Sequence, residues 1–327
     1  MGNYRWGIIA PGKIANKFVE GLAVIPGAVL YAAGSRDTGR AKEFAEKYGF
    51  QKAYGSYEEL ANDPMIDIVY IAARNPQHAE AAILCMRKGK AVICEKPIAV
   101  NAAQTNRMIQ CAKENNVFLM EAMWTRFLPA VCRARELIKD GVIGNVRLVC
   151  ADFGFRTDLN PESRLMSPAH AGGSLLDVGV YNLSFACMIF GTEPDRVQSG
   201  MKIGSTGVDE ETSVLLSYKD GKSAMLFSAI RLATAQEAKI IGENGRIELP
   251  DYWHGKTLRL FSSGGMREFD LPFDASGYQF EAMEVMRCLD EGFKESPVMP
   301  LNESLSVMKT ADLIRNQHNL RYSFDEE

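Results

Sequence analysis

Three side chains in this sequence could hold or move a proton, namely Lys96, Asp177 and Tyr181. Lys96 follows the apolar run 91–95, which predicts a buried strand, and ligands bind at the carboxyl ends of strands in open α/β sheets. Asp177 and Tyr181 are four residues apart in a predicted helix over residues 173–190, so they share one face. An ammonium group favours the ionised form of a nearby phenol, so Lys96 could make Tyr181 a general base. Asp177 would then orient a substrate hydroxyl or hold Lys96.

Each of these residues also has a structural interpretation. Lys96 could be a surface lysine at a strand end, Asp177 a carboxylate stabilised by the helix dipole, and Tyr181 a packed core tyrosine. The two residues before the helix, Gly172 and Gly173, allow another part of the chain to approach closely. The residue types alone leave both interpretations open.

A glycine-containing turn near the N-terminus predicts a site for a dinucleotide. The segment reads Ala10-Pro11-Gly12-Lys13-Ile14, between a predicted strand over residues 4–10 and an apolar-periodic helix. The pattern departs from the G-x-G-x-x-G fingerprint, because alanine stands in the first glycine position. Its place before the first helix nevertheless predicts that the pyrophosphate binds there, at the helix N-terminus. The predicted contacts are Ala10, Gly12, Lys13 and Ile14.

The end of the second predicted strand, over residues 29–34, indicates which nicotinamide cofactor binds. Ser35 and Arg36 hold this strand tip, and Arg40 is one helical turn further along the chain. An acidic residue about 20 positions after the turn binds the ribose hydroxyls of NAD, whereas an arginine accommodates the 2′-phosphate of NADP. We therefore predict NADP, with NAD as the alternative if Arg36 is solvated and Asp37 takes the ribose.

The surrounding elements predict two domains in the 327 residues. Over residues 1–122, continuously apolar strands alternate with helices, which predicts a Rossmann domain with a doubly wound parallel sheet. Residues 123–327 contain many strands and fewer helices, which predicts an α+β domain with a large, mostly antiparallel sheet. Lys219-Asp220-Gly221 marks a hairpin within it, and the tail after Tyr322 is expected to fray.

Composition limits the partners. The net charge is −4, without a basic patch, and no apolar stretch approaches the roughly 18 residues of a membrane span, so we expect neither nucleic acid nor membrane. Seven cysteines without a C-x-x-C pair indicate reduced thiols and a cytoplasmic protein. The four histidines lack metal-ligand spacing, so no metal is predicted. One face of the large sheet would stay apolar unless a second subunit covered it, which predicts a homodimer or a higher oligomer.

The chain resembles the glucose–fructose oxidoreductase/inositol dehydrogenase (Gfo/Idh/MocA) family over nearly its whole length. The resemblance rests on Gly7–Ile14, Gly34-Ser35-Arg36, Ile71–His78, Glu95-Lys96-Pro97 and Gly172–Tyr181. Within the family it is most similar to the dimeric dihydrodiol dehydrogenase group, which includes NADP-dependent D-xylose dehydrogenases. That similarity lies in Met120–Phe127 and in Tyr181, where most sugar and inositol dehydrogenases of the family carry histidine.

The resemblance implies an NAD(P)-dependent dehydrogenase that transfers hydride between nicotinamide and a small sugar, polyol or cyclic diol. It implies that Lys96 and Tyr181 handle the proton and that Asp177 binds the substrate hydroxyl. It also implies cofactor or nicotinamide-side contacts at Ala72, Asn75, His78, Glu95, Lys96, Trp124 and Arg126. His78 could instead cap a helix, and Trp124 could pack at a domain junction.

Other residues could complete a substrate pocket. Tyr278 and Phe280 are candidate aromatic walls, and the polar loop 156–172, with Arg164 and His170, could cover the substrate. Two alternative functions stay open: a catalytically silent dinucleotide sensor, and an enzyme that uses its cofactor without net redox change. The presence of Lys96, Asp177 and Tyr181 together argues against a sensor.

Overall fold

The computed structural model describes residues 2–191 and 193–326. The chain divides into two compact units. The first unit comprises Met1–Ala99, Ala103–Trp124 and Asp274–Leu301, and the second comprises Val100–Ala102, Thr125–Phe273 and Asn302–Glu327. Residues 274–301 therefore belong with the parallel sheet, although the sequence pattern grouped them with the rest of 123–327. They do so because a helix after Gly277 packs on the first helix, where Gly21 lets the two backbones approach closely.

The first unit contains a six-stranded sheet in the order β3-β2-β1-β4-β5-β6, in which every neighbouring pair is parallel. This confirms the predicted Rossmann sheet. The order reverses between β1 and β4, and ligands bind at the carboxyl ends of the strands beside such a switch point. The strands are β1 Tyr4–Ile9, β2 Ala28–Gly34, β3 Lys52–Tyr54, β4 Ile68–Ile71, β5 Ala91–Glu95 and β6 Leu119–Ala122.

The second unit contains an eight-stranded sheet in the order β14-β13-β12-β11-β7-β10-β9-β8. Only β7 and β10 pair in parallel within it, which confirms a mostly antiparallel sheet. The predicted hairpin at Lys219-Asp220-Gly221 joins β9 to β10. The strands are β7 Val146–Gly154, β8 Arg196–Ile203, β9 Asp209–Ser217, β10 Ser223–Ala229, β11 Ala238–Gly242, β12 Gly245–Leu249, β13 Thr257–Ser262 and β14 Gly265–Asp270.

The α-helices begin and end close to the residues that the sequence predicts. At α3, the Ser56 hydroxyl accepts from the Glu59 amide at 3.1 Å, as expected of a helix cap, and the Glu59 carboxylate reaches back to the Gly55 amide. The helices are α1 Lys13–Leu22, α2 Thr38–Tyr48, α3 Tyr57–Asn62, α4 His78–Arg87, α5 Ala102–Glu114, α6 Pro129–Lys139, α7 Val180–Phe190, α8 Gln279–Asp290 and α9 Leu301–Gln317.

Three features differ from the sequence analysis. The edge strand β3 was not predicted, because three residues are too short for a recognisable pattern. The helix predicted over 173–190 begins as a π-helical turn, Leu175–Gly179, and becomes α-helical only at Val180. The expectation of a frayed tail after Tyr322 was wrong for Ser323–Glu326, which form a 3-10 turn in which Asp325 pairs with Arg315 at 2.7 Å, and Glu327 lies outside the described residues.

Helix α7 is the core helix of the second unit and packs against β7 and β10. The expectation that no apolar stretch approaches the length of a membrane span was wrong for Pro168–Phe190, which is long and apolar enough to cross a membrane. However, 83% of its most apolar window is buried inside the protein. On β10 the side chains alternate, so Ala224 and Leu226 are buried while Met225 is 55% exposed. We call the surface that carries Met225 and its β9 neighbour Leu215 the open face of the sheet.

Candidate active site

The turn between β1 and α1 has the backbone shape of a dinucleotide-binding turn. Ala10 has a φ of 59°, in the left-handed region that favours glycine, and its amide donates to the Gly34 carbonyl at 2.9 Å. Alanine therefore adopts the conformation for which the first glycine of the fingerprint is usually selected. This explains why the sequence pattern is weak although the turn is present.

Gly12 is the residue that best tests whether a pyrophosphate fits this turn. Its φ of −133° and ψ of −161° suit any residue, and an added Cβ would meet only the Ala10 carbonyl oxygen, at 3.8 Å. The chain itself therefore does not need glycine here. A bare backbone at the N-terminus of α1 is what close approach of an anion needs, and the first turn of α1 contains no acidic residue. Lys13 is exposed and Ile14 half-buried beside it.

The tip of β2 presents two arginines. Arg36 and Arg40 are both exposed, whereas Ser35 is buried and its hydroxyl accepts from the Asp37 amide at 3.2 Å. One carboxylate oxygen of Asp37 accepts from the Arg40 amide at 3.2 Å and so caps α2. These contacts favour Arg36 over Asp37 as the residue that meets the ribose substituent.

His78, predicted as a cofactor contact, is a buried link between two segments of the first unit. Its ring is 1% exposed, with Nδ1 at 2.8 Å from the Pro97 carbonyl and Nε2 at 3.0 Å from the Ala73 carbonyl. The ring thus joins the loop after β4 to the segment that carries Lys96. Asn75 is also buried, in a 3-10 turn before α4, and the Ala72 amide donates to the Ile9 carbonyl at the end of β1.

Glu95 holds the main chain of Lys96. Its carboxyl group accepts from the Tyr70 hydroxyl and, at 3.1 Å, from the Lys96 amide, and burial raises its pKa to about 7. Lys96 itself is half-buried, whereas the residues on either side of it are buried. Glu95 was predicted among the cofactor contacts, and these hydrogen bonds make it a residue that positions Lys96.

Glu281 of α8 lies near Glu95, and the sequence did not predict it as part of the site. It is fully buried, and neither carboxyl oxygen has a hydrogen-bond partner among the described residues. Burial, reinforced by the nearby Glu95, raises its pKa well above the ordinary value, which favours the neutral form of the carboxyl group. The sequence signal that could have identified it is a glutamate on the apolar, core-facing side of an amphipathic helix.

Asp177 and Tyr181 lie on the helix that starts with the π turn Leu175–Gly179 and continues as α7, which we call the functional helix of the second unit. Asp177 is within the π turn, where the Val180 amide donates to the Leu175 carbonyl five residues earlier, and Tyr181 follows in α7. Asp177 is 6% exposed, and its Oδ1 is 2.8 Å from Nη1 of Arg164 in the loop 156–172. The sequence alone did not decide whether Arg164 covers the substrate or is an ordinary surface residue. In the structure, Arg164 contacts the candidate catalytic residue Asp177.

The start of this helix is fixed by a buried carboxylate. Asp209 Oδ2 accepts from the Ser174 hydroxyl and the Leu175 amide, both at 2.7 Å, and from the Thr212 hydroxyl at 2.9 Å. Burial raises the pKa of Asp209 to about 6. Gly173 makes this packing feasible, because a Cβ there would stand 2.0 Å from Asp209 Oδ1.

An aromatic group packs around Tyr181 within the second unit. Phe153 contacts the Tyr181 ring edge-on, with centroids 5.3 Å apart, and stacks on Trp253 at 4.8 Å. Tyr252 is buried beside them and donates to Asn182 Oδ1 at 2.6 Å. The sequence analysis missed Trp253, although the run of aromatic residues after β12 was visible.

The remaining predicted residues separate into the two units. In the first unit, Trp124 is buried and stacks on Tyr278 with ring centroids 4.3 Å apart, so Tyr278 packs in the core, whereas Phe280 is half-exposed. In the second unit, Arg126 is 2% exposed, pairs with Glu303, and donates to the hydroxyl and carbonyl of Ser184 at 2.9 Å. These contacts favour a packing role for Arg126. No group of three His, Cys, Asp or Glu side chains in the described chain could hold a metal ion.

Together, the sheet order, the bare turn at Gly12 and the exposed arginines after β2 define a Rossmann domain that binds a nicotinamide dinucleotide. The chain belongs to the Gfo/Idh/MocA family of oxidoreductases. Residues 4–123 match its domain described as "Oxidoreductase family, NAD-binding Rossmann fold", and residues 131–248 match the "GFO/IDH/MocA C-terminal domain". It is an NAD(P)-dependent dehydrogenase.

Its curated relatives support this assignment. The chain is 42% identical over 311 residues, covering 92% of each chain, to the Mus musculus protein named trans-1,2-dihydrobenzene-1,2-diol dehydrogenase. It is 38% identical to the Homo sapiens protein of the same name over 333 residues, covering 98% of this chain and 99% of the relative.

Solved structures share the fold. The aldose-aldose oxidoreductase from Caulobacter crescentus, complexed with glycerol, superposes with a TM-score of 0.89 at 24% identity, covering 97% of this chain and 98% of that one. Levoglucosan dehydrogenase, in complex with NADH and L-sorbose, gives a TM-score of 0.88 at 22% identity, covering 98% of this chain and 97% of that one.

Gly12→Ala should weaken dinucleotide binding without destabilising the fold. The added methyl group makes only an ordinary contact with the Ala10 carbonyl oxygen, at 3.8 Å, but occupies the approach of the pyrophosphate. We therefore expect the Kd for NADPH, measured by fluorescence titration, to rise about tenfold or more. Gly7→Ala is the matched control: its Cβ would stand 3.1 Å from Leu60, so it should lower the Tm and keep the affinity. Equal affinity of Gly12→Ala and wild type would remove the pyrophosphate from this turn.

Glu281→Gln should make the protein more stable than wild type as the pH rises. Folded Glu281 keeps its proton above pH 4.5 while the unfolded chain releases it, so wild-type stability falls with pH by up to about 1.4 kcal/mol per unit. Urea denaturation from about pH 5 to 8 should show a growing advantage for the glutamine variant.

Glu284→Gln on the same helix is the control of opposite sign. Burial alone would raise the pKa of Glu284, but hydrogen bonds from Arg287 and Ser296 lower it overall. This variant should therefore be less stable than wild type at neutral pH, with a difference that shrinks as the pH falls below 4.5. Parallel stability curves for wild type and Glu281→Gln would contradict the raised pKa of Glu281.

Proposed function

We propose that this protein is an NADP-dependent dehydrogenase whose substrates are cyclic vicinal diols and small sugars. The observation that carries the proposal is the fixed position of Lys96 at the carboxyl end of β5, held through Glu95 and His78. The relatives named trans-1,2-dihydrobenzene-1,2-diol dehydrogenase, at 37% to 42% identity, support the diol. The combination of Lys96, Asp177 and Tyr181 favours this function over a silent sensor.

In the proposed reaction, the bound nicotinamide supplies the hydride acceptor. Asp177 accepts a hydrogen bond from a substrate hydroxyl and orients the carbinol. Tyr181 takes the hydroxyl proton as the carbon loses its hydride, and it returns a proton to the carbonyl oxygen in the reverse direction. We assign to Lys96 the role of the cation that favours an ionised phenol.

Tyr181→Phe should leave NADPH binding intact and lower kcat by about 10² to 10⁴, the usual contribution of acid–base catalysis. The measurement is NADPH formation at 340 nm with trans-cyclohexane-1,2-diol, D-xylose and related sugars as substrates. Tyr218→Phe is the matched control, because it removes the hydroxyl of another tyrosine of the second unit, whose ring packs on Phe190 of α7. Near-normal turnover of Tyr181→Phe would remove Tyr181 from the mechanism, and no turnover of any substrate by wild type would overturn the proposed function.

Arg36→Ala should abolish the preference for NADP. Loss of the guanidinium removes the partner of the 2′-phosphate, so we expect the KM for NADP to rise about tenfold or more while the KM for NAD is unchanged. Lys42→Ala, an exposed cation on α2, serves as the charge-matched control. An unchanged NADP-to-NAD ratio in Arg36→Ala would contradict this specificity.

We also propose that the chain forms a homodimer, or a higher oligomer, through the open face of the sheet. The exposed Met225 and Leu215 on this face support the proposal, since monomeric proteins rarely leave large apolar patches exposed to solvent. Sedimentation at micromolar concentration should give at least twice the 36.2 kDa mass of one chain. Met225→Lys should shift the protein to the monomer, whereas Leu313→Lys on α9 should not. A wild-type monomer would refute the proposal.

We further propose a cytoplasmic location, with small molecules rather than nucleic acid or membranes as partners. All seven cysteines are free thiols, five of them buried, which suits a reducing compartment. The net charge of −4 gives no attraction to polyanions. Fractionation of cells should therefore recover the protein in the soluble cytoplasmic extract.

A further inference from the structure

The loop 156–172 has a fixed position on the functional helix of the second unit. The Gly173 amide donates to the Leu165 carbonyl at 2.9 Å, and Met166, itself a residue of the loop, is fully buried. Gly172 accommodates this crossing, because a Cβ there would stand 2.5 Å from the Leu165 carbonyl oxygen and 2.8 Å from that of Arg164. Backbone contacts and an apolar anchor thus hold the loop.

This crossing places Arg164 against Asp177. Nη1 of Arg164 is 2.8 Å from Asp177 Oδ1, and the arginine side chain is 47% exposed while the aspartate side chain is 9% exposed. An ion pair with one exposed partner adds little to stability, and the loop is already held by the contacts described above. The pair therefore needs an explanation other than anchoring the loop.

Its chemistry suggests one. An ionised carboxylate only accepts hydrogen bonds, and a guanidinium only donates them. Asp177 and Arg164 therefore present an acceptor and a donor side by side. Two adjacent hydroxyl groups match this arrangement, because one can donate to the carboxylate while the oxygen of its neighbour accepts from the guanidinium. A lone hydroxyl group can donate to the carboxylate and accept from the guanidinium, but only a vicinal diol gives each of the two groups a hydroxyl of its own.

We propose that Arg164 is a specificity-determining residue that binds the second hydroxyl oxygen of a vicinal diol whose first hydroxyl is bound by Asp177. This inference rests on the proposed function, because it deepens the role given there to Asp177. Arg164 acts on substrate binding, whereas proton transfer stays with Tyr181. The enzyme should accordingly prefer vicinal diols to otherwise identical mono-alcohols.

The test compares trans-cyclohexane-1,2-diol with cyclohexanol, using NADP as the oxidant. Wild type should have the higher kcat/KM for the diol. Arg164→Ala should lower kcat/KM for the diol by about 10- to 100-fold, mainly through KM, since a hydrogen bond to a charged group is lost. The value for cyclohexanol should change by less than about threefold. Arg164→Lys should restore part of the preference, because it keeps a cationic donor.

Two measurements separate substrate recognition from structural damage. Tm and NADPH affinity should match wild type in Arg164→Ala, and Arg156→Ala in the same loop should keep both activities. If diol and mono-alcohol activities fall equally, or mainly in kcat, Arg164 acts only by positioning Asp177 and the proposal is overturned. If Arg164→Ala keeps the diol preference, it is also overturned. Wild type that oxidises neither alcohol would instead refute the proposed function itself.

Discussion

The second unit depends on one buried carboxylate, that of Asp209. It gathers the hydroxyls of Ser174 and Thr212 and the amide of Leu175 at one oxygen, in the interior of the protein. Because such a group is costly to bury unless hydrogen-bonded, the helix start and β9 are held in one relative position. Everything that this helix carries, Asp177 and Tyr181 included, takes its place from that contact.

The first unit uses the same principle with different groups. Glu95 and His78 are buried and contact main-chain atoms on both sides of Lys96, so the lysine is oriented by residues that do not face the solvent. Burial and the nearby Glu95 raise the pKa of Glu281, which disfavours a second buried negative charge there. In both units, some residues of these motifs carry a group that could bind or react, and other residues hold the first ones in position.

The sequence predicted both sheets, because buried parallel strands read as continuous apolar runs and antiparallel strands are separated by turn residues. It also predicts Lys96, Asp177 and Tyr181 as site residues, since their neighbours form a recognisable motif. It could not give the direction in which motif side chains point, and so it did not predict the contacts that Glu95, His78 and Arg126 make with protein atoms. Trp253 was missed because its place depends on pairing between strands distant in the chain. The π turn was not predicted because α7 is apolar on all sides. Its hydrophobic residues therefore show no periodicity in which an extra residue could be recognised.

The π turn has a consequence for how this protein can vary. A π turn contains one residue more than the α-helix it interrupts. Deleting a single residue from Leu175–Gly179 would restore a regular helix and leave the later side chains on their present faces, because the π turn already takes up the extra residue. Tyr181 would keep its contact with the Phe153 ring, and α7 would keep its register with β7 and β10. The same deletion within α7 would instead rotate every later side chain by about 100°, since an α-helix has 3.6 residues per turn, so the π turn is the place where this helix can lose one residue.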